Sequence, residues 1–176
     1  PTISTKKSAQ LIREAKARGL HVTCSVSVHH LVLTDDKLET FDTRFKVTPP
    51  LRTDENRKAL LEAVKDGTID AITSDHNPMD IEHKKMEFDL AKNGTIGLES
   101  AFGALLTVLS LETIVEKLTA GRSLFLNVEH PIEPQKQANI TLFSTEGISV
   151  FSKENILSKS KNAILLGTEL KGKVYG

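Results

Sequence analysis

The chain has 176 residues, 39% of them hydrophobic and 26% charged, which is ordinary globular composition and long enough for one sizeable core. Lys plus Arg and Asp plus Glu both number 23, so the formal net charge is zero and nothing points to nucleic acid or an anionic membrane surface. A single cysteine, Cys24, excludes an internal disulfide framework and fits a reducing, cytoplasmic setting, and no apolar run is long enough for a signal peptide or a membrane span.

The chain opens at Pro1 without a methionine, on what reads as the end of a strand at Thr2, Ile3 and Ser4. That predicts a piece of something longer. Ser4 or Thr5 caps a helix in which Ala9, Leu11, Ile12, Ala15 and Ala17 recur at helical spacing, and Gly19 ends it. Residues 21–28 are rich in β-branched side chains and predict a strand, closing on His29 and His30. A polar connection follows over 31–44, with a helical turn at 35–38. Pro49 and Pro50 then force an extended loop. Thr53 or Asp54 caps a helix carrying Ala59, Leu60, Ala63 and Val64 that stops at Gly67.

Residues 69–74 predict the next strand, and it runs into the polar cluster of Asp75, His76, Asn77 and Pro78. The alternation of strand and helix is that of a parallel sheet, so the fold class is α/β. Residues 80–92 are charged and predict a mobile loop or lid. Apolar helices are expected over 99–109 and 111–118, and a last turn over 123–127. From about Val128 the character changes: Pro131, Pro134 and Gln135 mark a linker, and 139–143 and 147–151 predict two short strands.

Asp75 is the leading candidate for chemistry. A carboxylate delivered by a strand end can bind a metal or act as a general base. The competing reading is a turn or cap, since Ser-Asp-His-Asn-Pro is also good turn chemistry. After a strand, His29 and His30 point in different directions, so one packs and the other is solvated unless a ligand site claims one. Arg52 can grip a carboxylate or pair locally with Asp54 or Glu55. Glu82, His83, Lys84 and Lys85 read as a solvated charge run, and Cys24 as a small residue on a buried strand. There is no phosphate-cradling glycine loop, no cysteine pair and no nucleophile elbow.

Four ordered runs carry a resemblance: VTCSVSVHHL at 22–31, KVTPPLR at 46–52, SDHNP at 74–78 and IGLESAF at 96–102, followed by Lys161-Asn162 and GTELKGKV at 167–174. Together they resemble the C-terminal part of dihydroorotases, in the amidohydrolase superfamily. The resemblance implies the later βα units of a (β/α)8 TIM-type barrel over residues 1–127 and part of an accessory β-sandwich over 128–176. It implies a zinc-dependent cyclic amide hydrolase of pyrimidine biosynthesis, acting on dihydroorotate, with Asp75 as metal ligand and proton shuttle and His29 as metal ligand. Asp75 is then expected at the C-terminal mouth of the strands, near Thr2, His29 and Thr48.

Three positions depart from the family pattern. Thr2 stands where a ligand His is expected, Thr48 where a substrate-binding Asn is expected, and Met79 where a substrate-binding His is expected. A hydroxyl is a poor substitute for imidazole on a transition metal. Two functions therefore stand side by side: an active dihydroorotase, or a non-catalytic homologue serving as a structural or assembly partner, for example of a carbamoyltransferase. Exposed sheet edges add the expectation of a homo-oligomer.

Overall fold

The computed structural model describes residues 1–121, 124, 132–136 and 139–175. Its elements are α1 (Lys6–Ala17), β1 (Ser25–Ser27), α2 (Val28–Val32), α3 (Asp54–Lys65), β2 (Ala71–Thr73), α4 (Leu98–Leu105), α5 (Leu111–Gly121), β3 (Phe143–Val150) and β4 (Glu169–Val174). Short 3-10 turns occupy Asp35–Thr40, Thr43–Phe45, Ile81–His83 and Lys153–Asn155. The chain is α/β, as its patterning predicts.

β1 and β2 pair in parallel, with Ser25 opposite Ala71, Val26 opposite Ile72 and Ser27 opposite Thr73. Thr2 adds a parallel bridge to Ser25 on the other edge of β1. α1 and α3 connect these extended segments and pack on one another, as parallel crossovers must. α1 starts where Thr5 accepts a hydrogen bond from the Ser8 amide, so the predicted cap is present. α3 turns Leu60, Ala63 and Val64 inward, all 1% exposed or less, against Val26, Leu31 and Ile69. Burying each of the larger of these side chains contributes roughly 1.5–3 kcal/mol.

The predicted strand over 21–28 shortens to Ser25–Ser27. Ahead of it, the Cys24 amide is taken by the Asp70 carboxylate (2.9 Å), while the Asp70 amide returns to the Cys24 carbonyl (3.1 Å). Behind it, Val28 enters α2, so His29 and His30 lie in a helical turn and both are buried at 2% exposed. The expectation of one solvated histidine fails for that reason.

Residues 80–92 are pinned rather than free. The Lys46 ammonium donates to the carbonyls of Phe88 (2.6 Å) and Asp89 (2.7 Å). Lys84 is not part of a solvated run: it is 4% exposed and donates to the carbonyls of Lys46 (3.2 Å) and Lys92 (2.8 Å). Arg52 pairs with neither Asp54 nor Glu55. It reaches the Ser4 hydroxyl, while Asp54 holds Arg57 and Lys58 and Glu55 holds Lys6.

Near the C-terminus, the predicted strand over 139–143 is absent but for Phe143, while the one over 147–151 lies largely in β3, which pairs antiparallel with β4 and is irregular between Ser144 and Ile148. This ribbon docks on α4, with Phe102 and Phe143 rings 4.8 Å apart and Leu170 against Gly103. Residues 162–165 leave the ribbon and enter the main core: the Ile96 amide donates to the Asn162 carbonyl, and Ile96 bridges Ala163 in parallel. The predicted turn at 123–127 and the predicted boundary at 127/128 lie outside the described residues, Leu124 apart. No described helix is long and apolar enough to cross a membrane.

Candidate functional site

Parallel register places the site. Ser27 and Thr73 are the last paired residues of β1 and β2, and His29 and Asp75 each stand two residues beyond them. Both side chains therefore emerge at the C-terminal end of neighbouring strands, and His29 Nε2 lies 3.7 Å from Asp75 Oδ2. Asp75 adopts a left-handed backbone (φ 48°), and its amide donates to the Thr73 hydroxyl (3.2 Å). Few residues other than Gly, Asn and Asp take that conformation readily. The turn and the site are thus one feature: the Ser-Asp-His-Asn-Pro turn is what presents the carboxylate.

Burial treats the two groups differently. Desolvation, reinforced by neighbouring His30, drives the His29 pKa down to about 3, so the ring is neutral at ordinary pH. Desolvation also pushes the Asp75 carboxyl upward, opposed by His30. The 3.7 Å approach is accordingly a neutral imidazole beside a carboxylate, not an ion pair. His30 packs against His29 with centroids 4.6 Å apart and the rings tilted by 43°, and burial lowers its pKa as well.

Ser27 links the two rings. Its hydroxyl lies 3.0 Å from His29 Nε2 and is hydrogen-bonded to His30 Nδ1, while His30 Nε2 donates to the Pro50 carbonyl (3.1 Å). Sequence reading missed Ser27 and His30 as site neighbours. A polar residue ending a β-branched strand, two positions before the first His, was the available signal. His76 points elsewhere: its Nδ1 accepts from the amides of Gly97 (3.2 Å) and Leu98 (3.3 Å) at the start of α4.

The other candidates do not converge on Asp75. Thr2 is exposed, level with Ser25, and its hydroxyl meets the Ser25 hydroxyl at 3.0 Å. Thr48 is exposed at a cis bond to Pro49, in the loop that reaches the histidines through the Pro50 carbonyl. Among the described residues no hydrogen bond or ion pair joins either threonine to Asp75. Met79 is half-buried. Its carbonyl accepts from the Ser160 hydroxyl (2.8 Å) and its thioether packs on Gly94, where an added Cβ would lie 3.1 Å from Met79 Cγ.

A zinc ion fits this arrangement in part. His29 and Asp75 are a neutral nitrogen and a carboxylate oxygen facing one another, which is suitable donor chemistry. Among the described residues no group of three or more His, Cys, Asp or Glu is placed to hold a metal ion, so the remaining donors are not supplied here. A cleft of about 560 Å³ opens beside β2, bordered by Thr2, Ser25, Thr73, Ser74, Leu98 and Phe102. Neither His29 nor Asp75 borders it.

No family model matches the chain. The dihydroorotase of Geobacter metallireducens is 41% identical over 176 residues, covering 97% of this chain and 42% of that protein. The dihydroorotase of Bacillus subtilis is 40% identical over 177 residues, covering 97% and 41%. Among solved structures, the L-hydantoinase (dihydropyrimidinase) of Arthrobacter aurescens superposes with a TM-score of 0.84 at 27% identity, covering 98% of this chain and 41% of that one. The chain thus spans about two-fifths of the length of the curated relatives it matches.

Proposed function

We propose, from a chain homologous to dihydroorotases across its whole span, that it is the later part of a cyclic amide hydrolase interconverting dihydroorotate and carbamoyl aspartate in pyrimidine biosynthesis. On this reading residues 1–127 are the last βα units of a (β/α)8 barrel and 128–176 are part of an accessory β-sandwich. The protein is cytoplasmic and oligomeric. The observation that carries the proposal is the convergence of His29 and Asp75, one from each of two adjacent parallel strands, at the same level beyond their last paired residues.

Zinc bound by His29 and Asp75 would lower the pKa of a water toward neutrality and polarise the amide carbonyl. Asp75 takes the proton as the water oxygen bonds to the carbonyl carbon, and returns it to the ring nitrogen as the C–N bond breaks. His29, buried and neutral, stays a fixed nitrogen donor. On the same reading Thr48 and Met79 stand at the family's substrate-binding positions.

The experiment uses the full-length protein: metal analysis together with dihydroorotate hydrolysis. Bound zinc with turnover supports the proposal. Absence of zinc, with no hydrolysis even after zinc is added, rejects it. One set of observations favours a second reading. Thr2 bonds to Ser25 rather than facing His29, the Met79 thioether packs on Gly94, and Thr48 brings a hydroxyl in place of an amide, so three family positions lack their usual chemistry. These departures favour a non-catalytic homologue serving as a structural or assembly partner, for example of a carbamoyltransferase, and the rejecting outcome above is its expected result.

A further inference from the structure

We propose that Asn162 and Ser160, on the excursion between β3 and β4, are positioning residues that set the Asp75 turn from outside it. The turn is held at three places. Its start is fixed by the pairing of Thr73 with Ser27. In its middle the Asn77 amide donates to the Thr95 carbonyl (2.7 Å). At its end the Met79 carbonyl accepts from the Ser160 hydroxyl (2.8 Å). The second hold is itself set by Asn162, which brackets Thr95. The Asn162 side-chain amide donates to the Gly94 carbonyl (3.0 Å), and the Asn162 carbonyl accepts from the Ile96 amide (2.9 Å). The Thr95 hydroxyl accepts from the Ile164 amide (2.8 Å) on the same excursion. Asn162 and Thr95 are 7% and 1% exposed, so water offers no replacement for these bonds.

The contact between 94–97 and 74–77 has no slack. A Cβ added at Gly94 would lie 2.7 Å from the Asn77 carbonyl oxygen, and one added at Gly97 would overlap the Ser74 carbonyl. Backbone presses on backbone at two points, one on either side of Asp75, so a displacement of 94–97 must carry the turn with it. Asp75 sits between those points at φ 48°, a conformation that persists only where its flanks are held. The catalytic consequence rests on the proposed reading of Asp75 as the proton shuttle, for which a displacement of about 1 Å can cost roughly 100-fold in rate. The mechanical link itself stands without that reading.

The test is hydrogen–deuterium exchange of the full-length protein, read in peptides spanning 74–79 and 25–28, alongside steady-state hydrolysis of dihydroorotate. Ser160→Ala and Asn162→Ala should speed exchange over 74–79 about tenfold, the hold of one ordinary hydrogen bond, and leave 25–28 unchanged. Both should lower kcat by about 10–100-fold with KM within about threefold of wild type. Ser160→Thr keeps the hydroxyl and should restore both readouts. Lys161→Ala, which removes the bond from the Lys161 ammonium to the Ile156 carbonyl (2.7 Å), should change neither. Unchanged exchange over 74–79 overturns the inference. Faster exchange in both peptides also overturns it, since that marks general support of the fold, as does faster exchange over 74–79 with kcat unchanged. Should Asn162→Ala fail to fold, Ser160→Ala and Ser160→Thr decide. If the wild type hydrolyses no dihydroorotate, the proposed function fails, and the exchange pattern alone upholds or overturns the inference.

Discussion

Lys84 is the most severe test of the packing described above. The residue is 4% exposed and its ammonium is held by two backbone carbonyls, with Lys46 as a like-charged neighbour. Burial and then Lys46 lower its pKa from 10.5 to about 8, with Asp42 opposing them. Between those two values the unfolded chain holds a proton that the folded chain has released, so stability must rise with pH across this window. Below pH 8 both states are charged and the burial penalty is fully present. A shift of this size makes the Lys84 contribution more favourable by roughly 2–3 kcal/mol between pH 7 and pH 10. In Lys84→Met the titration disappears. Two carbonyls lose a charge-assisted donor, at about 1–3 kcal/mol, but the desolvation cost at neutral pH disappears with the charge. The decisive quantity is thus the difference between wild type and Lys84→Met as pH changes, rather than the stability of either. Chemical denaturation of the intact protein at pH 7, 8, 9 and 10 measures it. Wild type should gain on the variant by that amount. A difference that is flat, or that moves against wild type as pH rises, would refute the buried, depressed lysine.

Asp75→Asn keeps the left-handed backbone, since Asn tolerates φ near 48°, and removes the charge. In an active full-length protein, steady-state assay with dihydroorotate should show a loss of about 10²–10⁴-fold, the range of a general base, with the denaturation midpoint little changed. Gly172→Ala should unseat the C-terminal ribbon. The glycine sits at φ 69°, and an added Cβ would overlap the Ser144 carbonyl and lie 2.8 Å from Leu106 Cδ1. Left-handed strain and overpacking together should cost about 2–4 kcal/mol in denaturant unfolding.

Local chemistry made much of the fold legible. Thr5 caps α1, the Ala and Leu spacing marks α3, and the Ser-Asp-His-Asn-Pro turn locates the end of β2. Strand length was not legible, because it is set by partners. β1 lasts three residues since Thr2 and Ala71–Thr73 offer no more edge than that. Lys84 was missed for a related reason. Its neighbours in sequence are solvated, and only the folding of the 80–94 segment over Lys46 buries it. Asp75 was legible from its place at the end of a strand and His29 only through the ordered resemblance, and it is the parallel register that gives their meeting a physical cause.

The two residues at the strand ends also differ in burial and in partners, which a purely structural pairing does not explain. His29 is 2% exposed and held neutral, so it can hold an ion without itself changing charge. The Asp75 side chain is 35% exposed, and desolvation pushes its carboxyl upward against the opposing influence of His30. A structural role would gain most from a strong, charged contact, yet the closest approach is 3.7 Å and uncharged on the His29 side. The separation leaves the carboxylate without a tight partner among the described residues, on the side where the turn at φ 48° aims it. A carboxylate held in a sparsely populated backbone conformation, desolvated and weakly partnered, is an arrangement that packing alone has no reason to maintain.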